Sequence, residues 1–323
     1  MKVDFAILGA GAMGSILGAH LARAGHSVAL LARGRRAAVL REEGLRISGL
    51  VQFTASVQVL EDHTQLQEAG VLIVATKAIG TAQSLKPLAG ARIGTAFSIQ
   101  NGMMKNELLT QAFGREHVLG ALANMSGELL PSGEVLFTRN VNVSIGHPDG
   151  GLPASVETLA RTLDEAGVRT TAVPDILSRE WSKFAGWVGM VGVALTVRTN
   201  TWQYLMDPDG ARALVHWVRE VRDLARRNGA AFTDNAMFPV ATLSETDEDT
   251  ATGMIVDIGR QFRDNAPRHR VSTLQDVEAG RPLEVEETLG HAARLGARLG
   301  VPLPRLEMLY RLAAAIDRTA RQQ

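Results

Sequence analysis

The first fourteen residues run an apolar strand straight into Gly9, Gly11 and Gly14, and a small-residue helix, Ser15 to Ala24, follows at once. Few backbones accept that order. Gly9 lets the chain turn tightly out of the strand, Gly11 lets a pyrophosphate approach the main chain, and Gly14 lets helix and strand pack closely. The helix N-terminus then faces the phosphates of a dinucleotide. A glycine-rich turn with no nucleotide is the plainer alternative, but this fingerprint has both its strand and its helix.

The second strand of such a unit carries the residue that reads the adenosine ribose. An acid there bonds a 2′-hydroxyl. Here the strand Ser27 to Leu31 ends in Ala32-Arg33-Gly34-Arg35-Arg36, and along the chain no carboxylate follows until Glu42. A guanidinium fork matches a phosphate, so the cluster points to the 2′-phosphate of NADP(H), with Arg33 the first candidate and Arg35 or Arg36 behind it. A solvated basic loop is the other reading of the same residues.

A chain of 323 residues with 46% hydrophobic content is long enough for two cores. Lys plus Arg balances Asp plus Glu at 34 each, which gives no pull toward nucleic acid or anionic membrane. The absence of cysteine excludes disulfides and thiolate chemistry and fits the cytoplasm. The eight histidines include no pair at helical metal-ligand spacing, so no metal is expected. No run reaches the length of a membrane span, and the N-terminus reads as a strand rather than a leader.

Val71 to Ala75 and Ala96 to Ile99 read as strands buried on both faces of a parallel sheet. In an open α/β sheet ligands lie beyond the carboxyl ends of strands, so Lys77 and Asn101 are expected at the same crevice as Gly9 to Gly14. Gly127 to Gly146 reads as a hairpin, Ala154 to Gly167 as a helix and Val168 to Val173 as a short strand. The expected fold is α/β: a Rossmann-type dinucleotide-binding domain over 1–174, then an all-α domain over 175–323. Its helices begin at Asp207-Pro208, near Leu283 (to Leu299) and at Pro304 (to Arg321).

Only five of the 34 basic residues are lysine: Lys2, Lys77, Lys86, Lys105 and Lys183. Lys183 lies in the apolar stretch Trp181-Ser-Lys-Phe-Ala-Gly-Trp-Val-Gly-Met. A desolvated lysine gives up a proton where an arginine cannot, and carbonyl reduction needs a proton as the oxygen becomes an alkoxide. A snorkelling helix lysine is the structural alternative.

In this order and spacing, the chain resembles the ketopantoate reductase (2-dehydropantoate 2-reductase) family over essentially its whole length. The matching pieces are Gly9-Ala-Gly-Ala-Met-Gly14, Thr76-Lys77-Ala78, Asn101-Gly102-Met103 with Glu107, Trp181-Ser182-Lys183, Ala194-Leu195-Thr196, and Ser272-Thr-Leu-Gln-Asp276 leading to Glu284. The resemblance implies NADPH-dependent reduction of a 2-oxo acid in pantothenate biosynthesis. It casts Lys183 as general acid, with Glu284 near it and the nicotinamide ribose. It also implies that Gly9, Gly11, Ala12, Met13 and Gly14 hold the cofactor, that Lys77 and Asn101 position nicotinamide and substrate, that Ser272 bonds the substrate, and that the chain forms a homodimer. Ser272 equally suits a helix N-cap with Gln275 completing a capping box, and Glu284 a solvated face with Glu286 and Glu287.

One departure bears on the substrate. The family usually places asparagines four and eight residues after the lysine; here those positions are Trp187 and Val191. An apolar wall cannot select a hydroxyl as a hydrogen-bonding one does. Three readings follow: reduction of ketopantoate itself, reduction of a more apolar 2-oxo acid or related carbonyl compound, and non-catalytic NADP(H) sensing. The nearby Gly186, Gly189 and Gly192 suit close helix packing or room for a bulkier group.

Overall fold

The computed structural model describes residues 1–320. They form two compact units, one of residues 1–100 with 105–177, the other of residues 101–104 with the chain from Ser178 onward. The helical unit thus includes a four-residue excursion from the α/β part, carrying Asn101.

The first unit is built on ten strands: β1 (Lys2–Leu8), β2 (Val28–Leu31), β3 (Leu45–Gly49), β4 (Phe53–Ala55), β5 (Gln58–Leu60), β6 (Glu68–Val74), β7 (Arg92–Ser98), β8 (Val118–Leu129), β9 (Val135–Gly146) and β10 (Thr170–Ala172). Their order is β4-β3-β9-β8-β7-β6-β1-β2-β5, with β10 beside β9. From β5 to β8 all pairs are parallel, and β8 and β9 form an antiparallel hairpin. Period-two alternation in β1 divides the interior: Phe5 and Ile7 enter one core with Phe97 and Phe137, and Ala6 and Leu8 enter another with Leu72 and Val74. Helices α1 (Ala12–Arg23), α2 (Gly34–Glu43), α3 (Thr81–Leu85), α4 (Met104–Phe113) and α5 (Ala154–Glu165) complete the unit. The sequence reading placed no strands between 44 and 60. At three to five residues each, β3 to β5 are too short to display a period.

The second unit comprises α6 (Ile176–Val197, beginning just before it), α7 (Thr201–Met206), α8 (Pro208–Arg227), α9 (Val240–Glu245), α10 (Glu248–Asn265), α11 (Ser272–Glu278), α12 (His291–Leu299) and α13 (Pro304–Ala320). The expected end of the last helix, Arg321, lies outside the described residues. Asp207 caps α8 by accepting from the N–H groups of Asp209 and Gly210 at 3.0 and 2.8 Å. The glycines of α6 serve packing. A Cβ on Gly189 would stand 2.6 Å from Leu214 Cγ, and one on Gly192 would stand 2.7 Å from the Trp217 ring, so α8 occupies the space.

The helix expected from Leu283 differs. Its first part is a π-turn, Glu286–Gly290, and only then does α12 begin. The wider turn packs on the excursion: a Cβ on Gly102 would lie 2.9 Å from Thr288 Cγ2. The partner of that turn is far away in the chain, so periodicity could not reveal it.

Candidate functional site

In the first unit the fingerprint forms an open cradle. Gly9 has φ 111°, and a Cβ there would stand 2.7 Å from the Thr76 nitrogen. A Cβ on Gly14 would stand 2.0 Å from the Gly9 carbonyl oxygen, so only glycine lets α1 begin this close to the strand end. Around Gly11 nothing lies within 4 Å. Gly11 is also the N-cap of α1, no side chain caps that helix, and its first turn, with Ala12 and Met13, holds no acid. Uncapped N–H groups at an open helix start fit a pyrophosphate, so the residues present suit a dinucleotide.

The three arginines after β2 have separate fates. Arg36 donates from Nε to the Ala10 carbonyl (3.0 Å), from one terminal nitrogen to the Gly133 carbonyl (2.7 Å) and from the other to Ser15 Oγ (2.9 Å). Its guanidinium braces the fingerprint loop against the β8–β9 turn, and burial lowers its pKa first, followed by the charge of Arg46. Arg33 and Arg35 are exposed, with no hydrogen-bond or ion-pair partner among the described residues. A carboxylate does reach the end of β2, from the neighbouring strand rather than from its own: the Gly34 N–H donates to Glu61 Oε2 at 3.3 Å.

Thr76 and Lys77 follow β6, and Lys77 is exposed. The turn is held by Gln100, beyond β7, whose amide nitrogen lies 3.0 Å from Thr76 Oγ1, 3.0 Å from the Lys77 carbonyl oxygen and 2.8 Å from Thr81 Oγ1. Two N–H bonds serve three acceptors, so one hydrogen is shared. Ser98 Oγ donates to the Gln100 Oε1 at 3.0 Å. This buried clamp was not singled out from sequence; a polar residue directly after an apolar strand was its only signal.

In the second unit Lys183 sits half-buried on α6, in a stretch where most neighbours are fully buried. Trp187 and Val191 follow it at successive helical turns and therefore share its face. Phe184 and Trp187 stack with ring centres 5.9 Å apart and planes 18° from parallel. Trp187, Val191 and Leu195 line a narrow cavity of about 10 Å³ together with Asp276, Glu284 and Thr288. Room of that size suits about one water. Asp276, 6% exposed, is held by Arg281 Nε at 2.7 Å and was also overlooked in the sequence reading, where it served only as part of a motif.

The fold therefore groups Gly9, Gly11, Ala12, Met13, Gly14, Arg33 and Lys77 in one unit, and Asn101, Lys183, Trp187, Val191, Ser272 and Glu284 in the other. Asn101 joins the helical group through the packing of Gly102 on Thr288, one helical turn beyond Glu284. The capping box at Ser272 does not form. Ser272 is the first residue of α11, the N-cap is Val271 with no side-chain bond, and Gln275 instead donates to the Arg270 carbonyl at 2.8 Å. The helix starts one residue earlier than a Ser272 cap requires, at Ser272 itself, and the Ser272 side chain is exposed. Among the described residues no three His, Asp or Glu side chains gather to hold a metal, and no helix is long and apolar enough to cross a membrane.

Comparison with known proteins gives a consistent result. Residues 5–150 match the family model described as ketopantoate reductase PanE/ApbA, and residues 175–317 match its C-terminal model. The 2-dehydropantoate 2-reductase of Archaeoglobus fulgidus is 28% identical over 314 residues, covering 96% of this chain and 97% of that protein. An uncharacterized oxidoreductase of Bacillus subtilis, YkpB, is 24% identical, with 95% and 97% covered. Among solved structures, 2-dehydropantoate 2-reductase from Geobacter metallireducens superposes with a TM-score of 0.81 at 23% identity, covering 98% of this chain and 99% of that one. D-Mandelate dehydrogenase with NADH and anilino(oxo)acetate gives 0.81 at 19% identity, with 99% of each chain covered.

Proposed function

The chain belongs to the ketopantoate reductase family, and from that premise we propose that it reduces 2-dehydropantoate to pantoate with NADPH, using Lys183 as the proton donor. Its class is that of the NADP-dependent oxidoreductases acting on CH–OH groups. The carrying observation is the face of α6. Lys183 stands one turn before Trp187 and two turns before Val191, and those two line a cavity together with Glu284.

The bound nicotinamide supplies the hydride. Gly9, Gly11, Ala12, Met13 and Gly14 would hold the pyrophosphate of the dinucleotide, and Arg33 would contact its 2′-phosphate. Lys183 Nζ gives a proton to the substrate oxygen as negative charge grows there, and Glu284 orients that ammonium group. Lys77, Asn101 and Ser272 bind the carboxylate side of the substrate and the nicotinamide. We also propose that the chain works as a homodimer in the cytoplasm, which light scattering of the purified protein and cell fractionation test.

A second reading, reduction of a more apolar 2-oxo acid, is favoured by Trp187 and Val191, which offer a substrate hydroxyl no acceptor and, as donor, only an indole N–H. D-Mandelate dehydrogenase, on the same fold, is a reason to include an aryl 2-oxo acid in the assay. The test is the initial rate of NADPH oxidation with ketopantoate and with 2-oxo acids lacking its hydroxyl. Ketopantoate as the best substrate supports the first reading, and a faster apolar acid supports the second. Lys183→Ala should lower kcat by at least 10²-fold while leaving the NADPH Kd within about twofold. Turnover within threefold of wild type would remove Lys183 from the proton-donor role.

A further inference from the structure

The end of β2 holds an arrangement that the dinucleotide reading does not use. β5 runs parallel to β2, with Leu31 opposite Leu60 and the Ala32 N–H donating to the Leu60 carbonyl at 3.1 Å. Glu61 therefore leaves the sheet beside Arg33. The N-cap of α2 is Arg33, its side chain makes no cap bond, and the first turn of α2 contains no acid. The anion at this helix start comes from Glu61, whose carboxylate accepts from the first N–H of α2, that of Gly34, at 3.3 Å. Its other oxygen is paired with Arg41.

In a Rossmann unit the end of β2 is where the ribose 2′ position is read. A carboxylate there accepts from a 2′-hydroxyl and repels a 2′-phosphate, whereas a guanidinium donates to a 2′-phosphate and pairs with its charge. The structure supplies both, Glu61 from β5 and the unpaired Arg33 from β2. His63 supports the placement of Arg33. Its ring is 4% exposed, neither nitrogen has a partner among the described residues, and its pKa is lowered first by burial and then by the Arg33 charge. Arg33 is thus close enough to the end of β5 for its charge to be felt there.

We infer that Glu61 is a cofactor-discriminating residue, a carboxylate brought in from the adjacent strand that opposes Arg33 and weakens the preference for a 2′-phosphorylated dinucleotide. Arg41 limits that opposition by neutralising Glu61. The inference rests on the dinucleotide-binding reading of this unit. A 2′-phosphate carries more than one negative charge, and removing one facing charge at about 5 Å in a well-solvated site changes binding on the order of tenfold.

The test is titration of the full-length protein, by calorimetry, with NADPH, NADH and the fragments 2′,5′-ADP and 5′-AMP, which require no turnover. For Glu61→Gln the Kd for NADPH and 2′,5′-ADP should fall about tenfold while that for NADH and 5′-AMP stays within twofold or rises. Arg41→Ala, which leaves Glu61 unneutralised, should weaken NADPH and spare NADH. Both differences should shrink in 0.5 M salt. Equal changes for the two cofactors, or none, would make Glu61 a helix cap only and overturn the inference while leaving dinucleotide binding intact. A wild-type protein that binds neither dinucleotide would overturn both.

Discussion

Replacing Gln100 by leucine keeps the side-chain volume and removes the clamp between the ends of β6 and β7. In the wild type this side chain, 8% exposed, serves Thr76 Oγ1, the Lys77 carbonyl and Thr81 Oγ1 with two N–H bonds, and accepts from Ser98 Oγ. The leucine variant forfeits three hydrogen bonds at about 1 kcal/mol each, roughly 3 kcal/mol in all. Part of the loss persists after relaxation because Ser98, with no exposed surface, cannot turn to water for its acceptor. For a unit of this size the thermal midpoint should fall by roughly 6–12 °C, followed by circular dichroism. Function is affected through position: the turn carrying Lys77 loses its tether, so kcat/KM should fall more than stability alone explains at temperatures where the variant is folded. Gln100→Glu sharpens the test. It is nearly isosteric, and the two threonine hydroxyls can rotate to donate to a carboxylate, but the Lys77 carbonyl cannot, so the glutamate should be no better than leucine near neutral pH. A leucine variant within about 0.5 kcal/mol of wild type would refute the clamp.

Three further expectations concern packing, a helix start and pH. Gly189→Ala places a methyl 2.6 Å from Leu214 Cγ and 3.3 Å from the Leu214 carbonyl, which should cost about 1–3 kcal/mol in urea unfolding. Glu220, buried on α8, accepts from the N–H groups of Arg305 and Leu306 at 3.1 and 2.9 Å. Glu220→Ala should therefore destabilise α13 by about 2–4 kcal/mol, seen as faster amide exchange over 304–310. His20 packs edge-on to Phe53 and Phe137 with Nδ1 2.9 Å from the Ala166 carbonyl, and burial, the largest cause, lowers its pKa from the ordinary 6.5. Below pH 6.5 the unfolded chain takes up a proton that the folded His20 refuses. Stability should fall as pH drops from there toward the lower folded value, and then level off. His63 is shifted the same way and adds to the slope. His20→Leu should show a shallower decline in urea midpoint between pH 6.5 and 5 than wild type; an unchanged slope would exclude His20 as a source.

Much of this protein was legible along the chain because it rests on contacts between near neighbours. The turn out of β1, the start of α1 and the cap at Asp207 each use residues a few positions apart, and hydrophobic periodicity names the buried faces of α8 and β1 without knowing their partners. The face shared by Lys183, Trp187 and Val191 is likewise a property of one helix. What periodicity cannot supply is the identity of a distant partner. Arg36 looked like a phosphate ligand, yet it is committed to the Gly133 carbonyl, 97 residues away. Glu61 reaches Gly34 across 27 residues because β5 adds to the edge of the sheet beside β2. The Ser272 cap does not form because α11 starts one residue earlier, at Ser272 itself.

The sequence by itself therefore determined the kinds of element, the α/β-then-helical succession, the glycine cradle and the lysine in its apolar helix. Local sterics and the two periodicities act over fewer than about ten residues. Tertiary structure alone decided which arginines stay free, that a carboxylate reaches the Gly34 N–H beside Arg33, that Gln100 holds the Lys77 turn, and that Glu284 lines a cavity with Trp187. Each depends on which strands and helices become neighbours, and that is settled by burying whole faces against each other rather than by any single residue's preference.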